Sequence, residues 1–350
     1  MSQTMFAARL HHGATEFSID EVPVPSMGAT DCLVAVGACG ICGSDLHIIE
    51  GRTAVPYRPI TLGHEPAGVV AAVGDDVSRF SLGERVFVNP IIACGKCRAC
   101  RQGRSQICVE RTLIGIHREG ALAEFVAVPG ANLIRLPPNI SLTEAAIIES
   151  ASVPYHALTA RAPVTPGDAV AIFGVGGIGL HGVQIARLAG ASIIVAVDIA
   201  EVPLERARRL GATHVVNGLE ADPLAAIRDV TGAGVDIALE CVGAPQSLSW
   251  AVEAIRPGGI AVLAGIGVDP IALPPSAIFA RTELDVRGAY GYSSHELERV
   301  ALLVASGQLD ANAAISEVMP LHEVNAALES LREERKYPVR IIITPTVDAR

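Results

Sequence analysis

The sequence lacks any apolar run long enough to cross a bilayer. Its longest apolar runs, such as Ala169–Phe173 and Ile193–Val197, have the length of strands and fall far short of a span. A cationic start, an apolar stretch and a small-residue cleavage site are all missing from Met1–His12, so no signal peptide is read. Positive charge is also short: 27 Lys and Arg stand against 37 Asp and Glu, a formal net charge of −10. That balance excludes a nucleic-acid partner and an acidic membrane surface as expectations. Aromatic residues make up only 4% of the chain, whereas glycine occurs 34 times. No internal repeat or low-complexity tract is visible. The expected setting is the cytoplasm, where thiols stay reduced. Eight cysteines then need a reason other than disulfides.

What is present reads as two domains, which 350 residues favour. Residues 1–150 are β-rich. Asp31–Gly37, Ala67–Val73, Glu84–Asn89 and Ala123–Val128 read as strands punctuated by Gly, Pro and Asp. From 151 to 290 the pattern alternates. Strands are expected at Ala169–Phe173, Ser192–Val197, Thr213–Val216, Asp236–Glu240, Gly259–Ala264 and Leu284–Gly288. Helices are expected at Gly177–Ala189, Pro203–Leu210, Pro223–Val230 and Pro245–Ile255. Such alternation predicts a doubly wound α/β domain with a parallel sheet. Residues 291–350, with helices at Ser294–Ala305 and near Val324–Arg332 and a strand at Val339–Thr344, are expected to return to the first domain.

The glycines Gly174, Gly176, Gly177 and Gly179 lie in GVGGIG, which fits GxGxxG. The spacing alone is a weak signal. Here it follows an apolar strand and opens a helix, the context a dinucleotide turn requires. Gly174 allows the tight turn, Gly176 lets the backbone approach a pyrophosphate, and Gly179 lets helix and strand pack closely. Asp198 ends the next strand, 19 residues after Gly179. A carboxylate there accepts the ribose hydroxyls of adenosine and repels a 2′-phosphate, so NAD is expected over NADP. The bland alternative is a structural glycine turn with Asp198 as a helix cap.

Cys94, Cys97, Cys100 and Cys108 are spaced C-x2-C-x2-C-x7-C. Four thiolates within so short a stretch match a closed tetrahedral zinc site. No regular helix or strand aims all four at one point, so a metal-organised loop is expected. Lys96, Arg98, Arg101 and Arg104 offset its negative charge and favour the thiolates. Disulfides suit the compartment poorly, and nothing else suggests an iron–sulfur cluster. Cys42, in GICGSDLH, and His64, in GHE, are further ligand-type residues. Either alone is more often a packed core residue.

Taken in order, GICGSDLH, GHE, the four-cysteine loop and GVGGIG resemble the zinc-containing medium-chain dehydrogenase/reductase family. The resemblance covers essentially the whole chain. It implies a partly open, β-rich GroES-like catalytic domain, a Rossmann domain inserted before the C-terminal end, and an active site in the cleft between them. It makes Cys42 and His64 ligands of a catalytic zinc, so that two zinc ions are expected per chain. Ser44 takes the place of the hydroxyl that bonds the substrate oxygen. Asp45 would bond the far nitrogen of His64, and His47 would pass the proton to solvent. Glu65 lies beside the metal as a transient ligand. Arg340 matches an arginine that holds the cofactor pyrophosphate. A basic residue often follows the first cysteine ligand in this family; here it is Gly43. Glu149 stands where relatives carry Cys, Glu or Asp as the third ligand, with Glu65 as its competitor. Polyol members usually follow that Glu with Pro, whereas this chain has Ser150. Cys32, Cys39 and Cys241 are expected to pack as small apolar residues.

The function implied is hydride transfer between a small secondary alcohol or polyol and NAD, giving a ketone or aldehyde. Zinc with three protein ligands keeps a fourth position for substrate. A homotetramer or homodimer is the implied assembly. The rival expectations are a metal-free quinone or enoyl reductase on the same fold and a non-catalytic NAD-binding protein.

Overall fold

The computed structural model describes residues 4–332 and 339–345. The chain divides into two compact units. One comprises Met1–Glu149, Ser293–Gly307 and Ala314–Arg350, and the other Ser150–Tyr292 and Gln308–Ala313.

The first unit is built on the long strand Asp31–Ile41. Its first residues alternate between half-buried and buried, the period of a sheet with one covered face. From Cys39 to Ile41 every residue is buried. The sequence reading ended this strand at Gly37; it continues because burial on both faces hides the alternation. Glu65–Val73 pairs antiparallel along one side. Phe125–Pro129 and Arg340–Thr344 pair antiparallel along the strand's other edge. The strand Ile315–Pro320, absent from the sequence reading, adds parallel to Arg340–Thr344. A separate three-stranded sheet puts Thr4–Leu10 between Ser18–Pro23 and Ile60–Thr61. Val34, Ile41, Leu62, Val70, Leu122 and Ile341 are among the residues that close the core.

The second unit holds six parallel strands. Across the sheet they run His214–Asn217, Ile193–Asp198, Ala169–Phe173, Val235–Glu240, Ile255–Leu263 and Asp285–Gly288. The order reverses between Ala169–Phe173 and Val235–Glu240. In doubly wound folds that is the switch point where ligands bind, at the carboxyl ends of the strands. Ala169–Phe173 is buried at every residue, as expected of a central strand covered on both faces.

Two boundaries differ from the sequence reading. Residues 308–313 join the second unit, although all of 291–350 was expected in the first. The reason is a long-range contact: Gln184 donates from Nε2 to the carbonyl of Asp310 and accepts at Oε1 from the Asp310 N–H. The four-cysteine loop is also not wholly irregular. It contains the short helix Arg98–Arg101, with Cys97 at its N-cap, and a 3₁₀ turn at Ser105–Ile107. Among the described residues no helix is long and apolar enough to cross a membrane.

Candidate active site

Cys42 directly follows the strand Asp31–Ile41 and is the N-cap of the helix Gly43–Ile49. Its side chain accepts from the Ser44 N–H, while Asp45, three residues on, accepts from the Cys42 N–H at 3.0 Å. This is a capping box with a thiol in the place usually taken by Ser or Thr. It fixes the thiol where the chain turns. The Ser44 hydroxyl lies 2.6 Å from Cys42 Sγ and 3.2 Å from His64 Nε2, and Sγ lies 3.3 Å from the same Nε2. Ser44 and His47 stand three residues apart on this helix, so they share a face.

His64 is buried. Burial pushes its pKa down, but the negative charge of Cys42 and of the Asp45 carboxylate outweighs that and holds it well above the usual histidine value. Asp45 Oδ1 stands 3.7 Å from His64 Nδ1, on the far side of the ring from Cys42. The expected direct hydrogen bond is thus an ion-pair approach, longer than a bond. Asp45's other oxygen is the one that caps the helix.

Cys42, His64 and Glu65 each offer one ligand atom within a common 4.8 Å, and all three are buried. Glu149 does not belong to that group. Its charge nevertheless acts on Glu65 and Arg340, raising the pKa of both. Arg340, expected at a pyrophosphate, is itself buried and pairs with Glu65 through Nε at 3.0 Å and Nη2 at 2.7 Å. Burial drives the Glu65 carboxyl up, to about 7 against the opposing pull of Arg340. Pro338, which precedes this arginine in its motif, lies outside the described residues.

Cys94, Cys97, Cys100 and Cys108 form a second group of converging ligand atoms. Backbone N–H groups point at the sulfurs: Cys94 and Glu110 both donate to Cys108 Sγ, at 3.3 and 3.4 Å. Such donors favour thiolate over thiol. They hold the Cys108 thiol below its ordinary pKa and, from Cys100, bring Cys97 down to about 6. All eight cysteines are free thiols.

In the second unit Gly174 follows the strand Ala169–Phe173 in the left-handed region, at φ +82°. A Cβ on Gly179 would lie 1.9 Å from the Gly174 carbonyl oxygen, whereas one on Gly176 would meet nothing within 4 Å. The third glycine is therefore required by packing, and the middle one faces open space. Asp198 closes the strand Ile193–Asp198. Its Oδ2 accepts from the Val175 N–H at 2.8 Å, and Oδ1 from Ile199 and Ala200. It thereby ties the glycine turn to the neighbouring strand.

Sequence reasoning missed two features. The Cys42 helix was legible in principle, since Asp follows Cys by three residues. The Glu65–Arg340 pair was not, because the partners are 275 residues apart.

Two clusters of zinc-type ligands on one chain, with a glycine turn at the switch point of a doubly wound sheet, define a zinc- and nicotinamide-linked dehydrogenase. Comparison narrows this. Residues 28–138 match the alcohol dehydrogenase GroES-like domain and residues 177–306 the zinc-binding dehydrogenase domain. A sorbitol dehydrogenase of Bacillus subtilis (strain 168) is 34% identical over 98% of both chains. The solved 2R,3R-butanediol dehydrogenase of Bacillus subtilis superposes with a TM-score of 0.89, at 30% identity over 98% of this chain and all of that one. A zinc-binding dehydrogenase structure from Sinorhizobium meliloti 1021, bound to NADP, gives 0.89 at 32% identity, over 98% and 99%. The chain belongs to the zinc-type medium-chain alcohol/polyol dehydrogenase family.

Proposed function

We propose that this protein oxidises a small polyol or secondary alcohol to the carbonyl compound, and catalyses the reverse, with NAD as hydride carrier. The observation that carries the reading is the convergence of Cys42 Sγ, Ser44 Oγ and the His64 ring nitrogen. A thiolate and an imidazole are the donors zinc prefers. Cys42, His64 and Glu149 would hold the catalytic ion. Glu65 is nearer to the other two ligands, but its Oε2 accepts from Arg340 and its Oε1 stands in an ion pair with the same guanidinium at 2.7 Å. Drawing its charge to a metal would weaken the ion pair that neutralises a buried guanidinium, which is costly; Glu149 is therefore the preferred third ligand. The four cysteines of the 94–108 loop would hold a second, structural zinc.

Zinc, if bound by these residues, would supply the positive charge that polarises the alcohol, and the nicotinamide would supply the hydride acceptor. The Ser44 hydroxyl receives the substrate proton and His47, on the same helix face, hands it to solvent. Burial first, and then Arg52, lower the pKa of His47, which favours the neutral ring that can accept. Asp198 supports NAD over NADP. Three backbone donors occupy its oxygens, and of roughly four acceptor sites on a carboxylate one stays open for a ribose hydroxyl. A 2′-phosphate there meets like charge.

The sorbitol and butanediol relatives support vicinal diols as the substrate class. A metal-free reductase is not favoured, since that chemistry uses neither of the two metal-type ligand clusters. A cytoplasmic homodimer or homotetramer is part of this proposal. It is supported by the free thiols and by the exposed apolar stretch with Ile266, Val268 and Leu273; sedimentation would test the assembly. The deciding experiment is NAD reduction measured across a panel of polyols, vicinal diols and simple secondary alcohols. Turnover on none of them, with zinc loaded, overturns the reading.

A further inference from the structure

Glu240 is the last residue of the strand Val235–Glu240, the first strand beyond the switch point, and is fully buried. Buried carboxylates need donors. Its Oε1 has three: the N–H groups of Val242 at 2.7 Å and Gly243 at 2.8 Å, and the Ser247 hydroxyl at 2.7 Å. Ser247 lies in the first turn of the helix Pro245–Ala254, whose positive end suits an anion. The Glu240 carbonyl also accepts from Ala264 and Gly265, which follow the next strand.

The turn so held has no slack. A Cβ on Gly265 would lie 2.2 Å from the Gly243 nitrogen and 2.5 Å from Glu240 Oε2, and one on Gly267 would lie 1.9 Å from the Gly243 oxygen. The turns after the two strands thus touch backbone to backbone. On the other side, Val242 Cγ2 occupies the space a Cβ on Gly174 would need, at 2.3 Å. The Cys241 N–H donates to Phe173, the residue before that glycine. One carboxylate therefore fixes a turn that is wedged between the GxGxxG turn and the 264–267 turn. Ligands of doubly wound sheets bind over these turns.

We infer that Glu240 is a positioning residue for the nicotinamide cofactor, acting through the Cys241–Ala244 turn. It does not touch the cofactor. Without its side chain, the Val242 and Gly243 N–H groups lose their acceptor and Val242 loses its fixed seat on Gly174. The inference rests on the nicotinamide reading above.

The test is NADH fluorescence titration of the zinc-loaded enzyme. Glu240→Gln keeps an acceptor in the place of Oε1 and should bind NADH within about threefold of wild type. Glu240→Ala should weaken binding on the order of tenfold, the scale of charge-assisted hydrogen bonds. Its KM for alcohol at saturating NAD and its zinc content should not change. A lower melting temperature with the wild-type dissociation constant would make Glu240 merely structural and overturn the inference. If Glu240→Ala does not fold, Ser247→Ala decides: roughly threefold weaker binding supports the inference, and unchanged binding overturns it. Failure of the wild type to bind NADH overturns the nicotinamide reading itself, and this inference with it.

Discussion

Arg340 and Glu65 pair across a strand that separates them. Gly40 sits opposite Glu65 on one side and Ile342 on the other. A Cβ at Gly40 would stand 2.1 Å from Glu65 Oε2, so the missing side chain is what lets the two groups meet. Arg340→Leu should destabilise the protein by about 3–5 kcal/mol, because it strands a buried carboxylate. Arg340→Lys should recover only part of this, since an ammonium cannot reproduce the paired donors of a guanidinium. Gly40→Ala should also destabilise, by displacing the carboxylate. Denaturant unfolding measures all three; an Arg340→Leu protein as stable as wild type would refute the ion pair's role.

The same pair bears on the third ligand proposed above. With Glu65 held by Arg340, Glu149→Ala should lose most of the catalytic zinc and its turnover, whereas Glu149→Cys should keep the metal. Two zinc ions retained in Glu149→Ala, and lost in Glu65→Ala, would reverse the assignment. Metal analysis of the purified variants reads this directly.

The loop cysteines make a separate prediction. Cys97→Ser should release one zinc and lower the melting temperature, because a closed site contributes folding energy. Cys42→Ser should abolish turnover while the loop metal remains. Unchanged metal content and melting temperature in Cys97→Ser would rule out the structural site.

His47 gives a pH dependence with a definite sign. Burial and Arg52 lower its folded-state pKa below the ordinary value of 6.5, so the unfolded chain takes up the proton first. Stability then rises with pH in that window. It is lost as pH falls below 6.5, until the folded-state histidine is protonated too. His47→Asn should remove this part of the slope in melting temperature between pH 7.5 and about 5. Alcohol oxidation by the variant should be slowest relative to wild type at low pH, where solvent bases are scarce. Parallel profiles for variant and wild type would remove His47 from proton transfer.

Asp198→Ala should narrow the preference for NAD, through weaker NAD binding and better use of NADP. It should also loosen the glycine turn, because the Val175 N–H loses its acceptor. Comparing kcat/KM for the two cofactors tests this; equal use of both by the wild-type enzyme would contradict it.

Much of this protein is written locally. The alternation of apolar runs with amphipathic stretches determines the parallel sheet, because a 2-residue and a 3.6-residue period are both readable within a dozen residues. GVGGIG and the four-cysteine spacing are likewise local, since the turn and the loop each close within one short segment. Tertiary structure alone decided what depends on distant partners. It carried the first unit's long strand past Gly37 to Ile41 by covering both its faces, and it drew residues 308–313 to the second unit through Gln184. It set Glu65 against Arg340 across a glycine, and so weighed one carboxylate against another as a metal ligand. A sequence shows which donors exist, but which of them are free depends on buried charges that meet only when strands far apart in the chain lie side by side.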